Sequence, residues 1–313
     1  MVSVTISSAH PTPLAKELPI TIGLPDKTLD NATIGDVKAA VTQKFPKFDA
    51  SRQKITLKGD RKALSDETTL RAAALTDSGE LTVKDLGPQI RWRTVFIWEY
   101  AGPLFIHTFF YYFPNLFYGG PVQHSLLQRY VYVMTISHFL KREYETLFVH
   151  RFSNGTMPLF GLFRNCAHYW ILAGVSLAYA VYGPAYATTS PYIRGTIRSN
   201  PTFLWSCIAV WIFAEISNYR THAILRDLRP AGTKERRIPY GYGFNLVSCP
   251  NYFFELIGWA TISVMTGSYA AHAFLIAATY IQTKWAIKKH RQYKKEFGDK
   301  YPKNRKVIFP FVF

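Results

Sequence analysis

The chain has 313 residues, 37 of them basic and 20 acidic, for a net charge of +17. The charge is one-sided: residues 1–88 hold 12 basic and 11 acidic side chains, residues 89–313 hold 25 and 9. Three scattered cysteines, Cys166, Cys207 and Cys249, exclude a disulfide framework and a cysteine-built zinc site.

The first segment reads as a small α+β module. "VSVTI" alternates like a strand, and "LPITIGL" gives a second after a proline-containing turn. "NATIGDVKAAVTQKF" predicts a helix, with Thr33 as N-cap, Asp36 three residues on, and Ile34, Val37, Ala40 and Val41 on one face. "QKITLKG" and "GELTVKDL" add two strands. The order strand, strand, helix, strand, strand resembles a ubiquitin-like β-grasp domain over residues 1–87. No diglycine follows the module, so a docking or folding role is expected rather than conjugation. The opening twenty residues, broken by prolines and polar groups, lack the apolar core of a signal peptide. Membrane entry is therefore expected to use an internal segment.

From Val95 the pattern changes to long aromatic and apolar blocks. They run at about 95–118, 126–140, 166–183, 201–217, 251–265 and 268–287. A membrane span needs about 20 mainly apolar residues. The expectation is an α-helical multi-pass bundle of about six transmembrane helices over residues 88–313. Alternating the blocks from a cytosolic first module leaves 22 basic residues on the cytosolic side and two, Arg194 and Arg198, outside. These charges mark loop sidedness, and no nucleic-acid motif accompanies them. The basic tail "KKHRQYKKEFGDKYPKNRK" also suits anionic headgroups.

Ionisable groups in such helices are costly and mark candidate function. Glu99 falls early in the first block. His138, Lys141, Glu143 and Glu145 follow the second, Glu215 and Asn218 close the fourth, and Asn251, Tyr252 and Glu255 open the fifth. The alternation puts them all at cytosolic ends. For each residue alone, a helix cap or an interhelical hydrogen bond is the plain alternative. In "LVSCPNYFFELIGW", Pro250 suits the first helical position. Asn251 and Glu255, four apart, share a face, and Tyr252 is turned by about 100° from Asn251.

"THAILRDLRPAGTKERRIPYGYGFNLVSCPNYFFE", with the ending "KKHRQYKKEFGDKYPKNRKVIFPFVF", resembles the steroid 5α-reductase superfamily. The ubiquitin-like module, "HFLKREYETLFVHRFS" and "VSCPNYFFE" narrow the resemblance to the trans-2-enoyl-CoA reductases of very-long-chain fatty acid elongation. It covers essentially the whole chain. It implies an NADPH-dependent enzyme of the endoplasmic reticulum membrane, with both termini cytosolic. It also implies a long-chain enoyl-CoA substrate, other elongation enzymes as partners, and neither metal nor nucleic acid. The cofactor is implied to lie against Asn218, His222, Arg226, Arg229, Asn251 and Tyr293, with Arg237 and tail lysines near its phosphates. Arginine forks suit phosphate oxygens, and an Asn can pair with a carboxamide. "GYGFNL" lacks the third glycine of a dinucleotide fingerprint and has no βαβ unit around it.

The implied chemistry is hydride addition at C3 of the enoyl thioester and protonation at C2. Tyr252 is the expected proton donor, with Lys141 lowering its pKa or holding the enolate oxygen, and Glu143 and Glu255 orienting them. The alternatives are a steroid or polyprenol enone reductase of the same superfamily, a membrane methyltransferase and a non-enzymatic ubiquitin-like membrane adaptor.

Overall fold

The computed structural model describes residues 2–77, 79–152, 155–229 and 236–313. The chain forms two compact units: Met1–Arg91 with Thr156–Gly161, and Trp92–Gly155 with Leu162–Phe313.

In the first unit, β1 (Val2–Ser8) buries alternate residues Val2, Val4 and Ile6, as a one-faced strand must. It pairs antiparallel with β2 (Ile20–Leu24), Val2 opposite Leu24. On its other side it runs parallel to β4 (Glu80–Asp85), which pairs antiparallel with β3 (Gln53–Leu57). The sheet order is β2-β1-β4-β3. Helix α1 (Ile34–Lys44) buries Ile34, Val37 and Val41 in the same core as β1 and β4. Its start is the capping box read from sequence: Asp36 N donates to Thr33 Oγ1 at 3.2 Å, and Thr33 N donates to Asp36 Oδ2 at 2.8 Å. A two-stranded ribbon, β5 (Gln89–Arg91) with β6 (Thr156–Pro158), completes the unit.

The remaining helices are α2 (Trp92–Tyr112), α3 (Pro114–Tyr118), α4 (Leu126–Tyr144), α5 (Phe160–Ala167), α6 (Leu177–Tyr182), α7 (Pro201–Asp227), α8 (Pro250–Thr266) and α9 (Tyr269–Phe297). Two wider, π-type segments interrupt the series, Glu145–Val149 after α4 and His168–Ser176 between α5 and α6. Such segments displace backbone carbonyls from the regular ladder. One of these, that of Ala173, lies 2.7 Å from His107 Nε2, while His107 Nδ1 meets the Tyr182 hydroxyl at 2.7 Å. The second unit's core includes Tyr100, Leu127, Phe139, Val181, Trp259 and Phe274.

Each expected apolar block is helical. No helix among the described residues, however, is long and apolar enough to cross a membrane. This corrects the expectation of six such spans. The helices turn polar groups inward: Glu99 and His107 on α2, His138 and Arg142 on α4, and Asn218 and His222 on α7 are all buried. Large apolar side chains face outward instead, Phe105 at 75% and Ile276 at 69% exposure among them.

Candidate active site

Three segments bring the site together. Helix α8 starts at Pro250 as the sequence predicts. The approach to it turns at Gly243, whose φ is +77° and where a Cβ would stand 2.7 Å from the Pro250 ring; the glycines of "GYG" serve this turn. The tail then stitches onto the same approach. Ser248 N donates to Lys306 O at 2.9 Å, and Ser248 Oγ meets His290 Nδ1 at 2.5 Å and the Tyr301 hydroxyl at 2.6 Å. This contact explains why the "VSCPNYFFE" stretch and the tail ending form one sequence signature.

A cavity of about 300 Å³ opens beside the start of α8. Asn251, Tyr252 and Glu255 line it from α8, His222 and Arg226 from α7, and Tyr100 and Arg142 from α2 and α4. Neither the Tyr252 hydroxyl nor the Asn251 side-chain amide makes a hydrogen bond among the described residues. Both are therefore available to a ligand. Glu255 accepts from Gln282 Nε2 at 3.2 Å, so its partner is an amide on α9.

Behind the cavity wall lies a charged network. Arg142 donates to Tyr100 Oη at 2.8 Å and to Glu145 Oε2 at 2.5 Å. Glu145, fully buried, also has His222 Nδ1 at 3.0 Å and Lys141 Nζ at 3.6 Å. Burial alone would raise the Glu145 pKa, but His222, Arg142 and Lys141 outweigh it and hold this carboxyl well below its usual range. Burial pushes the His222 pKa down, against the pull of Glu145. His150 is pushed down to about 2, first by burial and then by Arg142.

The ligand atoms of Glu145, His150 and His222 lie within 4.8 Å of one another, close enough for a metal ion. The charges oppose one: Glu145 already faces a guanidinium and an ammonium, and a further cation would be repelled by both.

Lys141 and Asn218 do not line the cavity. Lys141 Nζ pairs with Glu215 Oε2 at 2.8 Å and donates to Asn218 Oδ1 at 2.5 Å, while Asn218 Nδ2 donates to the Asn251 carbonyl at 2.8 Å. Asn218 reaches the site through the backbone at the head of α8, and Lys141 through Asn218 and through Glu145. Glu143 lies outside the cavity wall too; burial raises its pKa to about 7.

A second, basic chamber of about 160 Å³ shares Arg151 and Leu225 with the first. Arg229, Arg237, Tyr293 and Lys289, one of the tail lysines, line it, as do Arg151 and Arg236, which the sequence reading did not single out for the site. Burial and then Arg236 push the Lys289 pKa down. Arg142, Tyr100 and Gln282 were likewise not assigned to the site from sequence. The available signal was the Arg142/Glu145 spacing of three, which pairs side chains on one helix face.

The family described as 3-oxo-5-alpha-steroid 4-dehydrogenase matches residues 155–313, and one described as "TECR, ubiquitin-like domain" matches residues 20–85. The chain is 50% identical over 252 residues to a putative enoyl reductase of Schizosaccharomyces pombe, covering 80% of this chain and 82% of that protein. It is 40% identical over 292 residues to a very-long-chain enoyl-CoA reductase of Dictyostelium discoideum, covering 91% and 93%. With a trans-2,3-enoyl-CoA reductase-like protein of Mus musculus the identity is 32% over 297 residues, covering 92% and 79%.

The chain belongs to the 3-oxo-5-alpha-steroid 4-dehydrogenase family. The part matching that family supplies His222, Arg226, Arg229, Arg237, Asn251, Tyr252, Glu255 and Tyr293. Tyr100, Lys141, Arg142 and Glu145 precede it. The cavity of this family member is thus built from both sides of the matched boundary.

Proposed function

We propose that the chain is an NADPH-dependent very-long-chain trans-2-enoyl-CoA reductase that completes the fatty acid elongation cycle. The observation that carries the reading is the unbonded Tyr252 hydroxyl in a cavity that shares wall residues Arg151 and Leu225 with a chamber of cationic side chains. The names of the relatives support the substrate class.

The donor set fits a phosphorylated dinucleotide. Arg151, Arg229, Arg236, Arg237 and Lys289 offer charged donors for phosphates. The free amide of Asn251 suits a carboxamide. When bound, the reduced nicotinamide supplies the hydride for C3 of the enoyl thioester. Tyr252 donates its proton to C2, and the phenolate regains one from water. The Tyr100 hydroxyl, polarised by Arg142 at 2.8 Å, is placed to donate to the enolate oxygen. Lys141 acts from behind, holding Asn218 and through it the Asn251 carbonyl. Glu255 and Gln282 fix the wall opposite.

The helical part is proposed to sit in the endoplasmic reticulum membrane. Its support is the outward apolar faces of α2, α4, α7, α8 and α9, with Phe105, Val133, Ile216, Val264 and Ile276 exposed, together with the 22-to-2 loop charge. No single helix among the described residues carries a full apolar span; the bundle shares the task by keeping its polar groups inside. The ubiquitin-like unit is proposed to dock other elongation enzymes.

The test is purified protein with a long trans-2-enoyl-CoA and each reduced nicotinamide in turn. Loss of NADPH absorbance with formation of saturated acyl-CoA is expected. A steroid enone reduced in place of the thioester would support the runner-up reading.

A further inference from the structure

A third chamber, of about 730 Å³, lies between α2, the segment running from α5 into the π turn, and α9. It falls in the usual size range for small-molecule sites, about 300–1,000 Å³. Phe96, Tyr169, Gln282 and Trp285 belong both to its wall and to that of the Tyr252 cavity. The two spaces therefore adjoin along aromatic side chains.

Its two ends differ in chemistry. Arg164, Lys284 and Lys288 are exposed and cationic. Arg164 and Lys288 have no ion-pair partner among the described residues, and Lys284 donates only to the Tyr280 hydroxyl, at 3.1 Å. Lys284 and Lys288 are one helical turn apart and so project from one face of α9. Ala278 is buried, at 3% exposure. It lies ten residues before Lys288 on the same helix, about 15 Å along the axis. Glu99, Asn165, His168 and Gln282 are polar members of its wall. A mainly aromatic-walled chamber with a cationic rim and a small residue within matches an amphiphile with a phosphorylated head and a long hydrocarbon tail.

We infer that this chamber holds the acyl-CoA: its rim cations take the phosphates of the CoA moiety, and the methyl group of Ala278 leaves the space into which a long acyl chain extends. The thioester then lies along the shared wall of Gln282 and Trp285, within reach of the cavity that Tyr252 lines. A larger side chain at position 278 would occupy the tail's path without touching the reacting atoms. The inference rests on the enoyl-CoA reading above.

The test uses the full-length protein and a graded series of trans-2-enoyl-CoA chain lengths. Ala278→Leu is expected to lower kcat/KM for the longest chains about 10-fold or more, the scale on which apolar pockets discriminate, while the shortest chains react as before. An unchanged chain-length profile would overturn the inference. Because core enlargement can harm folding, a second variant pairs Lys284→Glu with Lys288→Glu at exposed positions. It should raise KM for CoA thioesters about 10-fold and leave that for N-acetylcysteamine thioesters, which lack the phosphates, unmoved. An equal effect on both, or none on either, counts against the rim. Photolabelling by a saturated acyl-CoA carrying a diazirine on the first few carbons beyond the thioester, without nicotinamide, should mark the α9 peptide around Ala278, one helical turn from Gln282. Labelling confined to other helices would also overturn the inference. If wild type turns over no enoyl-CoA of any length, the reductase reading fails, and the photolabelling still tests the chamber on its own.

Discussion

The Arg142 guanidinium donates to the Tyr100 hydroxyl at 2.8 Å while its other nitrogen holds Glu145 at 2.5 Å. One side chain thus ties the wall of the cavity to a fully buried carboxylate. Removing it has two effects. Arg142→Gln should cost about 3 kcal/mol, because it takes the nearest cation from the buried Glu145 carboxylate and leaves it Lys141 at 3.6 Å and His222 at 3.0 Å. Tyr100→Phe removes one neutral partner and should cost about 1–3 kcal/mol. Chemical unfolding of both variants and their double mutant is the check. Because the two residues touch, the costs should not add; strict additivity would mean the hydrogen bond contributes nothing.

Tyr252→Phe keeps the ring packed near Trp285, at a centroid distance of 6.3 Å in wild type, and removes only the hydroxyl. Turnover of enoyl-CoA should fall about 100-fold to 10,000-fold, the usual contribution of a positioned general acid. KM should change little. A variant with wild-type kcat and wild-type expression would remove Tyr252 from the chemistry.

Lys141 offers a contrast. Its ammonium sits between Glu215 and Asn218, away from the cavity wall. Lys141→Met leaves Glu215 with His138, at 2.7 Å, as its one ion-pair partner among the described residues. The expected result is a lower unfolding temperature, with the pH–rate profile of the folded fraction unmoved. A displaced profile would instead make Lys141 a direct participant in proton transfer.

The sequence made some of this legible. Thr33 and Asp36 announced the start of α1 because a capping box is a local signal, and Pro250 did the same for α8. Tyr252 and Asn251 could be singled out because polar groups in an apolar run stand out. The neighbouring pair Lys141 and Arg142 could not be separated. Adjacent helical residues point about 100° apart, and only packing decides which faces the cavity. It was Arg142, which the sequence reading counted only among the loop charges. The π-type segment at Glu145–Val149 was also hidden, since no residue pattern demands it. The apolar runs gave the helices but overstated them as spans, because polar residues within the same helices are buried by neighbours.

In the first unit, Thr33→Ala removes the side-chain acceptor for Asp36 N. The loss should be about 1 kcal/mol, as for other N-caps. Hydrogen exchange on the whole chain should show faster exchange in α1 with α7–α9 unaffected. Equal acceleration in both units would show that they unfold as one.

Acid should weaken the helical unit through its buried histidines. His150, usually near 6.5, is held down at about 2 by burial and Arg142. A depressed histidine is neutral in the fold and takes up a proton when unfolded. Its contribution is therefore complete above pH 6.5 and declines as pH falls below it. His222 is shifted the same way. Glu145 is also depressed, but from 4.5, so its loss begins only at lower pH. Between about pH 6.5 and pH 5 the depressed histidines lower stability as pH falls, while Glu143, raised by burial to about 7, takes up its proton in the fold and opposes them. His150→Asn should flatten the fall in unfolding temperature over that interval and leave the part that His222 and the other depressed histidines supply. An unaltered slope in the variant would mean that His150 is solvated and protonates freely in the folded protein.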